Sequence, residues 1–343
     1  MYGPIAECKT TPATSLMNGV MSNIRLEFMY ISSNLLKLVY PPISNQFAQL
    51  LWEDAEVRQF VKKSKLYMLA QRHALEFDNR RIDREHARFY FDLVCGKIKR
   101  KNLSVNLADL IGDYQEEVVI DWGAQAIKIS TEHAHNNKES ILYWATTDKM
   151  LYDFWRGRID IVGLSNALQF TDFNLYYVGI SKEGDSFSRL FANGHKSRAE
   201  ILSRETQYSP TARLTDELYI FLFDIDDFAV KELTESDFEL PGFIDKKILA
   251  ADAEKAFVKI LQSKYNIVKY QSYPKGKDGL YGSGLTSYSY QIDEDITFFT
   301  ATHKIRGCYN SPWRVEQPID VIHVEGERVK VVSADANDDP HSA

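Results

Sequence analysis

The chain of 343 residues contains few cysteines and no long apolar run. Cys8, Cys95 and Cys308 are far apart and form no Cys-x-x-Cys pair. This pattern argues against a disulfide framework and against a four-cysteine zinc site, and it fits a reducing compartment. No stretch approaches the roughly 18 apolar residues of a transmembrane helix, and the first residues lack the apolar centre of a signal peptide. We therefore predict a cytoplasmic protein with no membrane partner.

The chain also lacks a net positive charge. Its formal charge is −7 and its isoelectric point is near 5.7, whereas proteins that hold nucleic acid non-specifically usually present a basic face. Basic residues nevertheless cluster at residues 97–101 and around residues 196–198, and the local distribution of charge matters more than its sum. We find no P-loop, no Gly-x-Gly-x-x-Gly, no heptad pattern and no internal repeat.

The length suggests two or three domains. Residues 44–110 carry apolar side chains at helical spacing; for example, Ala87, Tyr90, Phe91 and Val94 follow the 0, 3, 4, 7 pattern. This pattern predicts a mainly helical N-terminal domain over residues 1–115, which begins with a loose arm and offers a surface for a protein partner.

Strand patterns follow that segment. The continuous apolar run at residues 218–223 predicts a buried central strand. Residues 318–332 predict a hairpin that turns at Glu325-Gly326. We therefore expect an α+β protein, with a mixed α/β core over residues 116–272. A β-rich extension over residues 273–343 holds the hairpin and ends in an acidic, disordered tail.

The stretch from Leu175 to His195 organises the candidate chemistry. Residues 175–181 favour extended structure, and Gly179 permits a close approach of the backbone. A polar turn and a short helix follow, and the helix carries Arg189 before His195. Tyr177 at a strand end and Arg189 on the next helix can face one cleft, where a phenol handles a proton and a guanidinium matches a phosphate.

A second stretch, residues 252–266, predicts an amphipathic helix that ends in Tyr265-Asn266. Glu254 lies in its first turn, beside the apolar face. A carboxylate there suits the helix dipole and can hold a divalent cation.

Together these pieces resemble the GIY-YIG nuclease superfamily. The matching features are the Tyr177-Val178-Gly179 triplet, Arg189, the Glu254 helix and Tyr265-Asn266, and they cover about a third of the chain. The resemblance implies that Tyr177 and Arg189 act at the scissile phosphate, that Glu254 binds one divalent metal and that Asn266 supports the site. It also implies Mg²⁺ or Mn²⁺ as the cofactor.

The first motif of that family departs from the expected pattern. Near its expected position stands Gly163-Leu164-Ser165, with serine in place of tyrosine. This leaves a proton-handling role vacant, and we expect His195 to fill it as a general base, since its ordinary pKa suits that role. The catalytic residues expected are thus Tyr177, Arg189, His195, Glu254 and Asn266, with Glu254 as the metal ligand.

The resulting prediction is a metal-dependent nuclease that acts on DNA, in genome defence, restriction or repair. Two alternatives remain open at this point. One is a degenerate module that binds nucleic acid or protein without cleaving, which Ser165 favours. The other is a toxin that cleaves RNA.

Overall fold

The structure, a computed structural model, describes residues 30–114, 116–131, 140–192, 194–231, 244–309 and 318–334. The loose arm and the acidic tail expected from the sequence lie outside these ranges, as does Cys8. Cys95 and Cys308 form no disulfide with each other. Among the described residues no helix has the length and apolar character needed to cross a lipid bilayer.

The described residues form sixteen strands and eight α-helices. The strands are β1 (Tyr30–Leu38), β2 (Ile43–Ser44), β3 (Leu66–Gln71), β4 (Leu75–Asp83), β5 (Arg88–Cys95), β6 (Ile98–Asn106), β7 (Val118–Trp122), β8 (Ala126–Thr131), β9 (Ile141–Thr146), β10 (Asp172–Ile180), β11 (Leu218–Lys231), β12 (Ser287–Ile292), β13 (Thr297–Phe299), β14 (Lys304–Arg306), β15 (Ile319–Glu325) and β16 (Arg328–Ala334). The helices are α1 (Asn45–Leu51), α2 (Ala55–Val61), α3 (Leu107–Ile111), α4 (Thr147–Trp155), α5 (Ser186–Phe191), α6 (Lys196–Arg204), α7 (Leu214–Glu217) and α8 (Lys246–Leu261).

A ten-stranded mixed sheet forms the centre of the fold and curls into a half-barrel. Nine of its strands follow the order β14-β13-β10-β3-β11-β1-β12-β15-β16, and β2 pairs with β11. The strands β3, β10 and β11 lie side by side and antiparallel. The predicted central strand at residues 218–223 is therefore confirmed as part of β11, and β15 and β16 form the predicted hairpin that turns at Glu325-Gly326.

The expected fold class is wrong. The described part of the protein is mostly β, with 40% of its residues in strands and 24% in helices, and its N-terminal portion contains little helix. Between residues 44 and 110 only the short helices α1, α2 and α3 form, and β3, β4, β5 and β6 take nearly half of the segment. The sequence pattern placed a protein partner on a helical N-terminal domain. Strands β3 to β6 are found where that domain was expected.

Two competing periodicities explain this error. In β5 the apolar residues Phe89, Phe91, Leu93 and Cys95 are buried, and of the residues between them only Asp92 is also buried, so the period of 2 prevails over the helical spacing expected from the sequence. In β3 all six residues are buried. A strand covered on both faces reads as a continuous apolar run, which periodicity cannot distinguish from a buried helix.

The main sheet separates two apolar cores. Leu66, Met68 and Ala70 of β3 belong to the larger core, whereas Tyr67 and Leu69 belong to the smaller one on the other face. Because successive side chains of a strand point to opposite faces, β3 contributes to both cores and lies at the centre of the molecule.

Two three-stranded sheets, β4-β5-β6 and β7-β8-β9, are inserted between β3 and β10. The main sheet contains strands from each of the three segments that were predicted as separate domains. The expected boundaries near residues 115 and 272 therefore do not coincide with boundaries of this sheet.

Candidate active site

An open cleft of about 510 Å³ lies where β3 and β10 meet α5 and α8. Three of the residues expected at the site line this cleft: Tyr177, Arg189 and Glu254. As predicted, Tyr177 lies on a central strand and Arg189 on the helix that follows it. The side chains that carry the chemistry described below are Tyr67, Tyr177, Lys182, Arg189, Glu254 and Asp278.

Two tyrosines from adjacent strands face each other across Gly179. Tyr67 of β3 pairs directly with Gly179 of β10, and the rings of Tyr67 and Tyr177 have centroids 6.1 Å apart. A Cβ on residue 179 would lie 2.5 Å from the Tyr177 ring and 2.6 Å from the Tyr67 hydroxyl oxygen. Only glycine leaves room for both rings, and this explains the glycine two residues after Tyr177.

His195 lies directly behind these tyrosines and is 4% exposed. Its Nδ1 accepts a hydrogen bond from the backbone N–H of Arg198 at 3.0 Å and so caps α6. Its Nε2 lies 2.7 Å from the Tyr67 hydroxyl. Because Nδ1 is an acceptor, Nε2 carries the hydrogen and donates it to Tyr67.

Burial, followed by the charges of Arg189 and Arg198, lowers the pKa of His195 to about 4. The ring is neutral at pH 7, but the nitrogen that faces the tyrosines is already protonated. Taking up a proton from that side would need the other tautomer, which would set two N–H donors against each other at the helix cap. The geometry thus favours a hydrogen-bond donor over the general base expected from the sequence.

Arg189 lies in the last turn of α5, whose N-terminus is capped by Asp185 through the backbone N–H of Ser188 at 2.7 Å. Burial raises the pKa of Tyr67 and Tyr177 and lowers that of His195, and the charge of Arg189 opposes the rise in the two tyrosines and adds to the fall in His195. Within the described ranges no carboxylate lies within 4.0 Å of its guanidinium. A guanidinium without an acidic partner beside two phenols can bind a phosphate oxygen.

Glu254 enters the cleft from the third turn of α8 and not from the first, because the helix begins earlier than the sequence pattern suggested. Partial burial raises its pKa to about 7. Within the described ranges its one hydrogen bond comes from the Tyr270 hydroxyl at 3.5 Å, which is long. A half-buried carboxylate with so few donors is poorly stabilised in its charged form.

Asn266 fastens the end of the α8 segment to β10. Its Oδ1 accepts hydrogen bonds from the backbone N–H of Val178 at 2.9 Å and from the Ser263 hydroxyl at 2.7 Å. Its Nδ2 donates to the carbonyl oxygen of Val178 at 2.7 Å. The amide therefore satisfies both backbone groups of the residue next to Tyr177, and it positions that strand without lining the cleft.

A buried aspartate positions the opposite wall. Asp252, two residues before Glu254, is fully buried. It accepts hydrogen bonds from the hydroxyls of Tyr273 and Tyr290 and from the backbone N–H of Leu280, at 2.6, 2.9 and 2.7 Å. These bonds hold the segment that brings Asp278 to the cleft, where Asp278 forms an ion pair with Lys255.

Sequence reasoning missed Tyr67, Tyr270 and Asp278. Tyr67 was overlooked because β3 was interpreted as helix; its signal was a short apolar run between Ser64-Lys65 and Arg72. Ser165, expected near the first motif, lines a separate hollow with Asp109 and Arg158. A second tyrosine, Tyr67, nevertheless lines the cleft, and it comes from a distant part of the chain.

Comparison of the chain with protein-family models, with curated proteins and with solved structures finds no match. The chemistry of the cleft is therefore interpreted from its own geometry.

Proposed function

We propose that the protein is a metal-dependent nuclease that hydrolyses phosphodiester bonds of DNA, with a site similar to that of GIY-YIG nucleases. The observation that carries the proposal is the cleft itself, in which Tyr67, Tyr177, Arg189 and Glu254 meet. These side chains come from four different elements. Two phenols, a guanidinium without an acidic partner and a half-buried carboxylate are the groups that phosphodiester hydrolysis needs in one place.

Positive charge at the mouth of the cleft favours a polyanionic substrate. Lys63, Lys65 and Lys182 lie around the turn after β10, since the backbone N–H of Ser181 donates to the carbonyl of Lys65 at 2.9 Å. Among the described residues none of the three lysines has a carboxylate within 4.0 Å. Phosphates flanking the scissile bond can replace the missing counter-charges.

The attacking water needs a proton acceptor, and we assign that role to the phenolate form of Tyr177, which first releases its own proton to solvent. Burial and then the charge of Glu254 raise the pKa of Tyr177, whereas the hydroxyls of Tyr67 and Ser197 and the charge of Arg189 lower it. His195 donates to the Tyr67 hydroxyl, and the ring of Tyr67 lies beside that of Tyr177, with centroids 6.1 Å apart. The Tyr67 hydroxyl, held by His195, can thus stabilise negative charge on the Tyr177 oxygen before that oxygen accepts the proton. His195 acts as a positioning residue through Tyr67.

Arg189 neutralises a non-bridging oxygen of the phosphate as charge accumulates there. The cleft also has a place for a divalent cation, because the half-buried Glu254 carboxylate has, within the described ranges, one long hydrogen bond. No group of three or more His, Cys, Asp or Glu side chains among the described residues is arranged for a metal. Glu254, with Asp278 on the same cleft, would nevertheless suffice for Mg²⁺ or Mn²⁺, which keep most of their waters and often use only one or two carboxylates. Such a cation would stabilise the leaving oxygen.

The degenerate binding module rested on the missing first tyrosine, and Tyr67 now supplies a phenol beside Tyr177. We accordingly favour an active enzyme. Its location in the cytoplasm remains part of the proposal and is supported by the free thiol of Cys95.

The test is cleavage of a plasmid, and of an RNA of similar length, by the purified full chain in Mg²⁺ or in EDTA. We expect cleavage of DNA in Mg²⁺ and none in EDTA. Tyr177→Phe and Tyr67→Phe each remove one hydroxyl from the cleft, and we expect DNA cleavage to fall at least 100-fold.

Tyr176→Phe is the matched control. Tyr176 neighbours Tyr177, but its hydroxyl donates to Gln71 at 2.6 Å outside the cleft. We expect cleavage within twofold of wild type for this variant. Equal cleavage by all four proteins would refute the assignment, and cleavage of RNA alone would identify the toxin alternative.

A further inference from the structure

The small sheet β4-β5-β6, residues 75–106, carries a concentration of positive charge that the cleft does not use. We call it the basic sheet. It contains eight lysines and arginines against five aspartates and glutamates, a net charge of +3 in a chain whose total is −7. The side chains of this group that are exposed are Arg81, Arg84, Lys97, Arg100 and Lys101.

Internal ion pairs leave most of this charge unneutralised. Lys99 pairs with Asp78 at 2.7 Å and with Asp92 at 3.2 Å. Among the described residues none of the other seven cations of the basic sheet has a carboxylate within 4.0 Å. Unpaired like charges on three adjacent strands repel one another, and a polyanion that binds there relieves this repulsion.

The exposed cations follow the two outer strands and both turns of the basic sheet. Arg81 lies on β4, and Arg100 and Lys101 lie on β6, on the other side of β5. The guanidinium of Arg81 stacks 3.9 Å above the ring centroid of Tyr90. Stacking holds the guanidinium in place while leaving its N–H groups free to bind an anion.

The connectivity limits how far this surface lies from the cleft. Ten residues lead from Tyr67 to Phe77, which spans roughly 36 Å at most. Phe77 pairs with Leu93 and Leu93 with Arg100, a distance of about 10 Å across two strand spacings. The Cα atoms of Tyr67 and Arg100 are therefore no more than roughly 46 Å apart, about 14 base pairs of duplex.

We propose that the basic sheet binds the phosphate backbone of duplex DNA that extends out of the cleft. This inference rests on the proposed function, because it places the same substrate on a second surface. The contacts are with phosphates, so they supply affinity and orientation and do not read the base sequence.

The test is binding of a fluorescent 30-base-pair duplex to the full chain in EDTA, followed by anisotropy over a range of salt concentrations. Arg100→Ala combined with Lys101→Ala removes two charges from β6. We expect the dissociation constant to rise about tenfold and the slope of log K against log salt to fall by nearly 2. Lys97→Ala, in the turn before β6, is a second variant and should lower the slope by about 1.

The matched control is Arg328→Ala combined with Lys330→Ala. These residues are exposed on the edge strand β16 and, within the described ranges, have no carboxylate within 4.0 Å. We expect their removal to change the dissociation constant less than twofold. In cleavage assays the β6 variant should raise KM and leave kcat unchanged.

Unchanged binding by the β6 variant and by Lys97→Ala would overturn the inference. Equal weakening by the β16 control would also overturn it, since only the net charge would then matter. Tighter binding of poly-glutamate than of DNA would assign the surface to an acidic protein instead. The proposed function fails separately, if cleavage does not depend on Tyr67 and Tyr177.

Discussion

Replacing Glu254 by glutamine removes one negative charge from the cleft and keeps the shape of the side chain. The carboxylate is half-buried, and its pKa rises from 4.5 to about 7 on folding. The folded protein therefore holds a proton on Glu254 more tightly than the unfolded chain does. Ionising this group in the folded state costs stability, and the glutamine variant avoids that cost.

The magnitude follows from linkage. A rise from 4.5 to about 7 corresponds to ~3 kcal/mol, since each tenfold change in proton affinity is about 1.4 kcal/mol. Below the unfolded pKa the carboxyl is protonated in both states, and the cost is absent. It grows as the pH rises from 4.5 towards 7 and is complete above the folded pKa. Glu254→Gln should therefore match the wild type near pH 4 and be more stable by ~3 kcal/mol at pH 8.

Two measurements check this expectation. Denaturant unfolding in EDTA at a series of pH values gives the difference in free energy of unfolding between the two proteins. Thermal unfolding with and without Mg²⁺ tests the cation, because a ligand at 100 times its dissociation constant stabilises by about 2.7 kcal/mol. We expect Mg²⁺ to raise the Tm of the wild type only. Cleavage by Glu254→Gln should be lost while its DNA binding in EDTA persists.

The reasoning is refuted if the two proteins have equal stability at pH 8, or if glutamine destabilises by the same amount at every pH. The first result would mean that Glu254 is well solvated or paired. An equal Mg²⁺ shift in both proteins would place the cation elsewhere, and wild-type cleavage by Glu254→Gln would remove the carboxylate from the mechanism.

Two further predictions concern the residues behind the cleft. His195→Ala removes a helix cap and a donor to Tyr67. We expect cleavage to fall about tenfold, and less for His195→Asn, with an unchanged dependence of the rate on pH. A loss of 10²–10⁴-fold, together with the loss of one ionisation from that pH dependence, would show that His195 is a general base. Asn266→Ala leaves both backbone groups of Val178 without a partner and should cost roughly 3 kcal/mol in urea unfolding. Ser263→Ala, which removes one donor to Asn266, should cost about 1 kcal/mol, and equal losses would contradict this account of Asn266.

Local signals in the sequence predicted the parts of the site that follow one another closely. The run from Leu175 to Ile180, with its glycine, specifies a strand and a close contact, and a polar turn and a capped helix bring Arg189 after it. The helical periodicity around Glu254 and the turn at Glu325-Gly326 were equally readable. Each of these elements depends on neighbours within a few residues, where propensity and periodicity act.

The helix predicted at residues 66–71 is wrong because long-range contacts, and not local signals, decide the conformation of this segment. The run from Leu66 to Gln71 is buried on both faces, so it carries no alternation that marks a strand. Its identity is decided by β10 and β11, which pair with it from distant parts of the chain. A segment whose hydrogen bonds are all long-range takes its conformation from its partners.

The sequence by itself determined the kinds of chemical group available: the phenol of Tyr177, the guanidinium of Arg189 and the carboxylate of Glu254. Only the tertiary structure decided that Tyr67 joins these groups. In the chain, two inserted sheets separate the strand of Tyr67 from β10, whereas in the fold the two strands are hydrogen-bonded neighbours. The proton affinities of Glu254 and His195 were likewise decided by folding. Burial shifts both pKa values, and burial depends on what the rest of the chain places around a side chain.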